Sequence, residues 1–248
     1  AIVQQNIGDG SSAVDVIITG FSSIEEGAFD GSGLSGSITL PASLESIGDK
    51  AFYKCSSLTS VIFEPTSQLD TIGNNAFYQS GLASITLPAS LTSIGQSAFY
   101  NSSSLTSVSF EPNSQLDTIG RYAFSRSGMT SITLPASVTI LDAAAFHSCT
   151  ALTSVNFESG SQLTTIGSAV FAFSGLSGSI TLPASLTSIG NNAFRQCSSL
   201  TSVSFESGSQ LAKIGGSSVF ILSGLSSFTA PQSVLTLFGV SVGTNKTV

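Results

Sequence analysis

The sequence predicts an α/β solenoid of about nine stacked coils of 22–26 residues. A parallel β-sheet is expected along one face, with short strands and helical turns along the other. Three observations carry this. A Phe, usually preceded by Ala, recurs at Phe29, Phe52, Phe77, Phe99, Phe124, Phe146, Phe171, Phe194 and Phe220, with spacings of 23, 25, 22, 25, 22, 25, 23 and 26. The phrase SITLPAS recurs at 37–43, 84–90, 131–137 and 179–185. Between recurrences the chain alternates apolar residues with Ser and Thr at period two, which marks a strand with one buried face. A repeat of 20–30 residues is the mark of a solenoid, because no single coil can bury its apolar side alone.

Each coil reads in three parts. The first is L-x-S-[IV]-x-[LF], as in Leu105-Thr106-Ser107-Val108-Ser109-Phe110, expected to be a strand parallel to its neighbours. The turn that follows has two versions. Short coils use Pro-Ala-Ser, as at Pro88-Ala89-Ser90, and long coils a Glu-led insertion, as at Glu111-Pro112-Asn113-Ser114-Gln115. Short and long coils alternate, so the true period is about 47 residues. The second part is [LV]-x-x-I-G, a second short strand ending in a turn at Gly. The third is x-x-A-F-x-x-[CS], read as one helical turn facing the core. Asn74, Asn75, Asn191 and Asn192 stand where a helix N-cap would be useful.

Composition excludes several function classes. Charged residues are 8% of the chain, against roughly 25% in an ordinary globular protein. The net charge is −7, with seven Lys and Arg scattered singly. That argues against nucleic acid, whose phosphates need a basic patch, and against anionic membrane surfaces. No stretch approaches the ~20 apolar residues that span a bilayer, so no membrane insertion is expected. The N-terminus, AIVQQNIGDGSS, lacks the basic and apolar regions of a signal peptide. Sequons at Asn101 and Asn245 matter only on a eukaryotic secretory route.

The residues resemble the BspA-type, or Treponema pallidum-type, leucine-rich repeats. Leu176, Ile180, Leu182, Pro183, Leu186, Ile189, Gly190, Ala193, Phe194, Cys197 and Leu200 follow the family pattern. The resemblance covers 24–235, flanked by 1–23 as an N-terminal cap or truncated coil and 236–248 as a C-terminal cap or truncated edge. It implies a right-handed, curved leucine-rich-repeat solenoid. It also implies a non-enzymatic surface or secreted module that adheres to host or extracellular-matrix proteins, cells or glycans. The expected location is extracellular or cell-surface, the expected state a monomer, and no cofactor or metal is expected. Two alternatives are an ice-binding solenoid and a structural spacer of a larger surface protein.

The candidate surface is the solvent side of the strand ladder. Nine coils place Ser at one position, Ser37 through Ser227, and a mostly hydroxylated residue two positions on. The candidate ligand-binding set is Ser60, Ser84, Thr86, Ser107, Ser109, Ser131, Thr133, Ser154, Asn156, Ser179, Thr181, Ser202 and Ser204. Such a two-column, uncharged grid suits a repeating partner, a glycan or an ice surface, better than one protein, whose site would need aromatic or Arg anchors. The competing reading is structural, with hydroxyls bonding one another across strands.

Other features read as structural. Glu64, Glu111, Glu158 and Glu206 fall ~10 Å apart, too far to share a metal, and are expected to form a solvated edge. Asp70 and Asp117 recur likewise. Cys55, Cys149 and Cys197 share a slot that elsewhere holds Ser, which predicts three buried free thiols. Gly31-Ser32-Gly33-Leu34-Ser35-Gly36 matches a dinucleotide fingerprint but leads into a strand, the wrong context for one. His147, the only histidine, has no nucleophile in a recognisable motif. The turn side collects Tyr53, Tyr78, Tyr100 and Tyr122 beside Lys54, Arg121, Arg126 and Arg195. Around Tyr100–Arg126 it offers the alternative spot for a discrete protein partner.

Overall fold

A computed structural model describes residues 3–5, 16–18 and 20–229. The chain is a leucine-rich-repeat solenoid of about eight turns, and every contact between successive coils is parallel. The N-terminal edge departs from this. Val16–Ile18 adds a parallel strand beside Gly36–Leu40, and Val3–Gln5 pairs with it antiparallel. The rest of the expected N-terminal cap, all of 236–248 and the Asn245 sequon lie outside the described residues.

Three rows of recurring segments make up the array, of which the second is one unbroken sheet. The first is formed by the L-x-S-[IV]-x-[LF] segments. Their central residue is buried in each coil, from Ile38 through Val108 to Val203, while the flanking Ser side chains face outward. The second is a continuous nine-stranded sheet of two-residue strands, from Ser23–Ile24 to Lys213–Ile214. Here Gly allows coils to touch: a Cβ on Gly95 would stand 2.7 Å from the Gly73 carbonyl carbon.

The third row corrects the sequence reading. Among the described residues there is no α-helix, and the sole helical element is the 3₁₀ turn Gly216–Ser218. The Ala-Phe segments are open turns instead. Residues two before and two after the anchor Phe hold left-handed backbone, as at Lys50 and Lys54 (both φ 55°) and Ser97 and Asn101 (55° and 56°). That conformation breaks a helix and frees alternate amides to point along the solenoid axis. Lys50, Phe52 and Lys54 donate to the Asn74, Ala76 and Tyr78 carbonyls of the next coil at 2.7–2.8 Å. Backbone that a helix would have satisfied internally is satisfied between coils.

The asparagines follow this logic rather than capping. Asn74 Oδ1 accepts the Gln96 amide of the next coil at 2.8 Å, and the Asn74 amide donates to Asp49 Oδ1 at 2.6 Å. Asn75 and Asn192 take left-handed positions, φ 55° and 59°, which Asn tolerates better than most residues.

The core is a stack of phenyl rings. Each anchor Phe lies on the next, from Phe29 to Phe220, with centroids 5.0–5.5 Å apart and planes within 25°. Beside it runs the Cys/Ser slot. Cys55, Cys149 and Cys197 are free and buried, and each thiol donates at 3.1 Å to the carbonyl of the preceding anchor Phe. Ser102 does the same to Phe77 at 3.0 Å. The slot selects a small donor, which is why Cys and Ser interchange. Burial pushes all three thiol pKa values up, and hydrogen bonds from Ser32, Ser127 and Ser174 pull weakly the other way.

Candidate functional site

The strand ladder is less regular than the sequence implies. Within a short-then-long pair the strands are fully joined: Ser84–Leu87 pairs with Ser107–Phe110 over four residues, and Ser131–Leu134 with Ser154–Phe157 likewise. From a long coil to the next short one the ladder opens. Leu58–Phe63 meets Ser84–Leu87 only at Ser60 and Ser84. Ser107–Phe110 and Ser131–Leu134 belong to separate sheets, and the bond from Thr130 N–H to Thr106 O, 3.3 Å, lies just before them. Proline contributes to the gap. Pro88 aligns with Glu111, whose amide closes its pair by donating to Leu87 O at 3.0 Å. Pro has no such hydrogen to give the preceding coil. The last long-to-short junction, Ser199–Phe205 onto Ser227–Thr229, keeps three pairs.

The candidate residues all reach the surface. Ser84, Ser107, Ser131, Ser154 and Ser179 are exposed, Ser60 and Ser202 half-exposed. In the second column Thr86, Ser109, Thr133, Asn156 and Thr181 are exposed and Ser204 half-exposed. Ile62 interrupts that column with an apolar side chain 48% exposed. Two cross-strand hydroxyl bonds form, Thr86 to Ser109 and Thr181 to Ser204, both 2.9 Å and both inside a short–long pair. The side chains of Ser60, Ser84, Ser107, Ser131, Ser154, Ser179 and Ser202 form no hydrogen bond among the described residues.

The neighbouring Thr carries structural work of another kind than the hydroxyl-to-hydroxyl bonding of the competing structural reading. Thr59, Thr106, Thr153 and Thr201 donate to backbone carbonyls of the preceding coil at Gly36, Ala83, Thr130 and Gly178, 2.9–3.2 Å away. The recurrence of Thr one place before the Ser was the available signal, and alternation alone could not separate the two roles.

The glutamate series also has a different role from the expected solvated edge. Glu64, Glu111, Glu158 and Glu206 each accept, through Oε2 at 3.0 Å, the amide of the Ala in the preceding Pro-Ala-Ser turn. The Ser of that turn reaches the other way, as Ser90 Oγ does to Ser67 O and Leu69 O at 2.9 and 2.8 Å. Asp70 and Asp117 accept from Thr92 and Thr139 of the next coil at 2.6 and 2.5 Å. Carboxylates here stitch coils together. Among the described residues no group of three His, Cys, Asp or Glu is placed to hold a metal.

The turn face gathers the other aromatics. Tyr53, Tyr78 and Tyr100 stack at 4.8 and 5.2 Å, and Tyr122 meets Tyr100 edge-on at 6.3 Å. Lys54 lies 5.1 Å from the Tyr53 ring centre, Arg121 5.0 Å from Tyr122 and Arg126 5.8 Å from Tyr100. His147 packs 5.2 Å from Phe173, which also carries Arg195 at 5.8 Å. Burial, then the nearby Arg126 charge, holds the His147 pKa below its ordinary value.

No curated protein matches the chain. Among solved structures it is similar to a leucine-rich repeat protein of Bacteroides ovatus ATCC 8483, with 25% identity and a TM-score of 0.63, over 92% of this chain and 69% of that one. It is also similar to the pneumococcal vaccine antigen PcpA, with 27% identity and a TM-score of 0.52, over 80% of this chain. The match spans 62% of the pneumococcal chain, under two thirds of its length. The family model of the BspA type leucine rich repeat region matches residues 22–127 and 117–240, and the chain belongs to that family.

Proposed function

We propose that the chain is a non-catalytic binding module, displayed outside the cell or on its surface, that adheres to extracellular proteins or glycans through the Ser/Thr strand face. The observation that carries this is the unspent hydroxyl column. The hydroxyls of seven aligned serines form no hydrogen bond among the described residues, while the adjacent threonines hold the coils together. Contacts to such a face are individually weak and gain strength by repetition. The pneumococcal relative's description as a vaccine antigen supports an exposed location. The paired, interrupted ladder favours a soft repeating ligand over ice, which needs an evenly spaced plane.

The test is binding of the purified chain to immobilised matrix proteins and neutral glycans, with Ser107→Arg and Ser131→Arg alongside after both are shown to fold. Saturable binding lost in both variants supports the strand face. Binding that survives both places the site elsewhere.

A further inference from the structure

We propose that the turn face carries a second, separate binding site for a carboxylated sugar. A polar groove of about 400 Å³ crosses three coils there, within the roughly 300–1,000 Å³ range of small-ligand sites. One wall is built by the residues two places after the anchor Phe. Lys54, Gln79 and Asn101 hold left-handed backbone at φ 53–56°, so they occupy the same position in successive coils, and all three line the groove. The next residue at that position is Arg126, φ 59°, in the coil joined to Asn101 by the Asn101 amide and Ser125 carbonyl at 2.8 Å. Ser103 also lines the groove. Gly81 lines it too, at a close approach of two coils where a Cβ would strike Ser56 O at 2.1 Å.

The chemistry selects the ligand class. Amides and hydroxyls line the groove, and each both donates and accepts, as sugar hydroxyls require. No aliphatic or aromatic residue lines it, so it lacks the pocket that a peptide's apolar anchor would fill. Lys54 lines the groove, and Arg126 stands one coil beyond Asn101, outside the lining. Neither forms an ion pair among the described residues, and each is braced against a tyrosine ring. In a chain of net charge −7 with only seven Lys and Arg, one unpaired cation in a polar groove and a second one coil further on match a sugar acid. Phosphate at every unit would demand more charge than the groove holds. Carboxylates suit Arg in particular, whose fork binds them through two hydrogen bonds.

The experiment is calorimetric titration of the full chain with tetragalacturonate, with maltotetraose as the neutral sugar and tetraglutamate as the sugar-free acid. Saturable binding of tetragalacturonate that weakens with salt is expected. Lys54→Gln and Arg126→Gln should each weaken it about five-fold, the scale of an exposed charge contact. Ser103→Trp should abolish it by filling the groove, with the thermal transition of each variant confirming the fold. Ser107→Arg, on the strand face, should leave it unchanged, which keeps this site distinct from the adhesive one. Absence of saturable binding overturns the proposal. So does equal binding of maltotetraose or tetraglutamate, or binding lost in Ser107→Arg and kept in the groove variants.

Discussion

Glu111 Oε2 accepts the Ala89 amide hydrogen at 3.0 Å, and Glu64, Glu158 and Glu206 repeat that bond to Ala42, Ala136 and Ala184 at the same distance. One carboxylate per pair of coils thus satisfies a turn amide of the preceding coil. Glu111→Ala should lower the free energy of unfolding by about 1–3 kcal/mol, the cost of leaving that amide without a partner. Glu111→Gln, which keeps an acceptor oxygen, should cost less. Urea denaturation of the three proteins checks the order, and equal stability of all three would remove the bond from the account.

Phe124 is fully buried between Phe99 at 5.0 Å and Phe146 at 5.5 Å. Phe124→Ala opens a gap in the middle of the ring stack and should destabilise by about 3–5 kcal/mol. A loss below about 1 kcal/mol in the urea midpoint analysis would mean that neighbouring coils collapse to fill the space.

The three thiols should be inert in the folded chain and react with iodoacetamide only on unfolding. Their pKa values are raised by burial, so the folded state holds the proton more tightly than the unfolded one. The stability linked to this is fully present below the unfolded thiol pKa of about 8.5 and is lost as pH rises above it. Cys149→Ser keeps a donor for the Phe124 carbonyl and should change stability little. Cys149→Ala removes the donor and should cost about 1 kcal/mol.

His147 gives the opposite dependence. Its folded pKa is lowered, first by burial and then by Arg126. Its contribution to stability is therefore present above the unfolded value of about 6.5 and is lost as pH falls toward the folded pKa. A proton NMR titration should place the folded midpoint below 6.5, and Arg126→Gln should move it up. His147→Gln should flatten the fall in urea midpoint between about pH 7 and pH 5.5 relative to wild type.

The stacking of the coils was legible in the sequence because Phe, Leu and Ile recur in register, and register fixes what each coil buries. The turn face was not. Lys50, Ser97 and Tyr122 share a left-handed position that no common side chain announces, so Ala-Phe read as a helical turn. The outward direction of Ser107 followed from alternation with Val108. That Thr106 rather than Ser107 bonds the previous coil did not, because both are hydroxyls and only the distance to Ala83 O separates them. Glu111 read as a surface charge because its partner, a backbone amide in another coil, leaves no trace in side-chain spacing.

The bond between Glu111 and Ala89 also sets a rule for how such a chain can grow. A long coil needs a Pro-Ala-Ser coil before it to supply the amide, whereas the Ser hydroxyl is less selective, since Ser43 reaches the Phe21 carbonyl of a first coil that has no Glu-led turn. Duplicating one coil would set two long turns, or two short ones, side by side and leave a Glu carboxylate or an Ala amide without its partner. Duplicating two restores the contact. Length in this solenoid is therefore quantised in units of about 47 residues, and a gene that expands or contracts by an odd number of coils inherits a seam at the join.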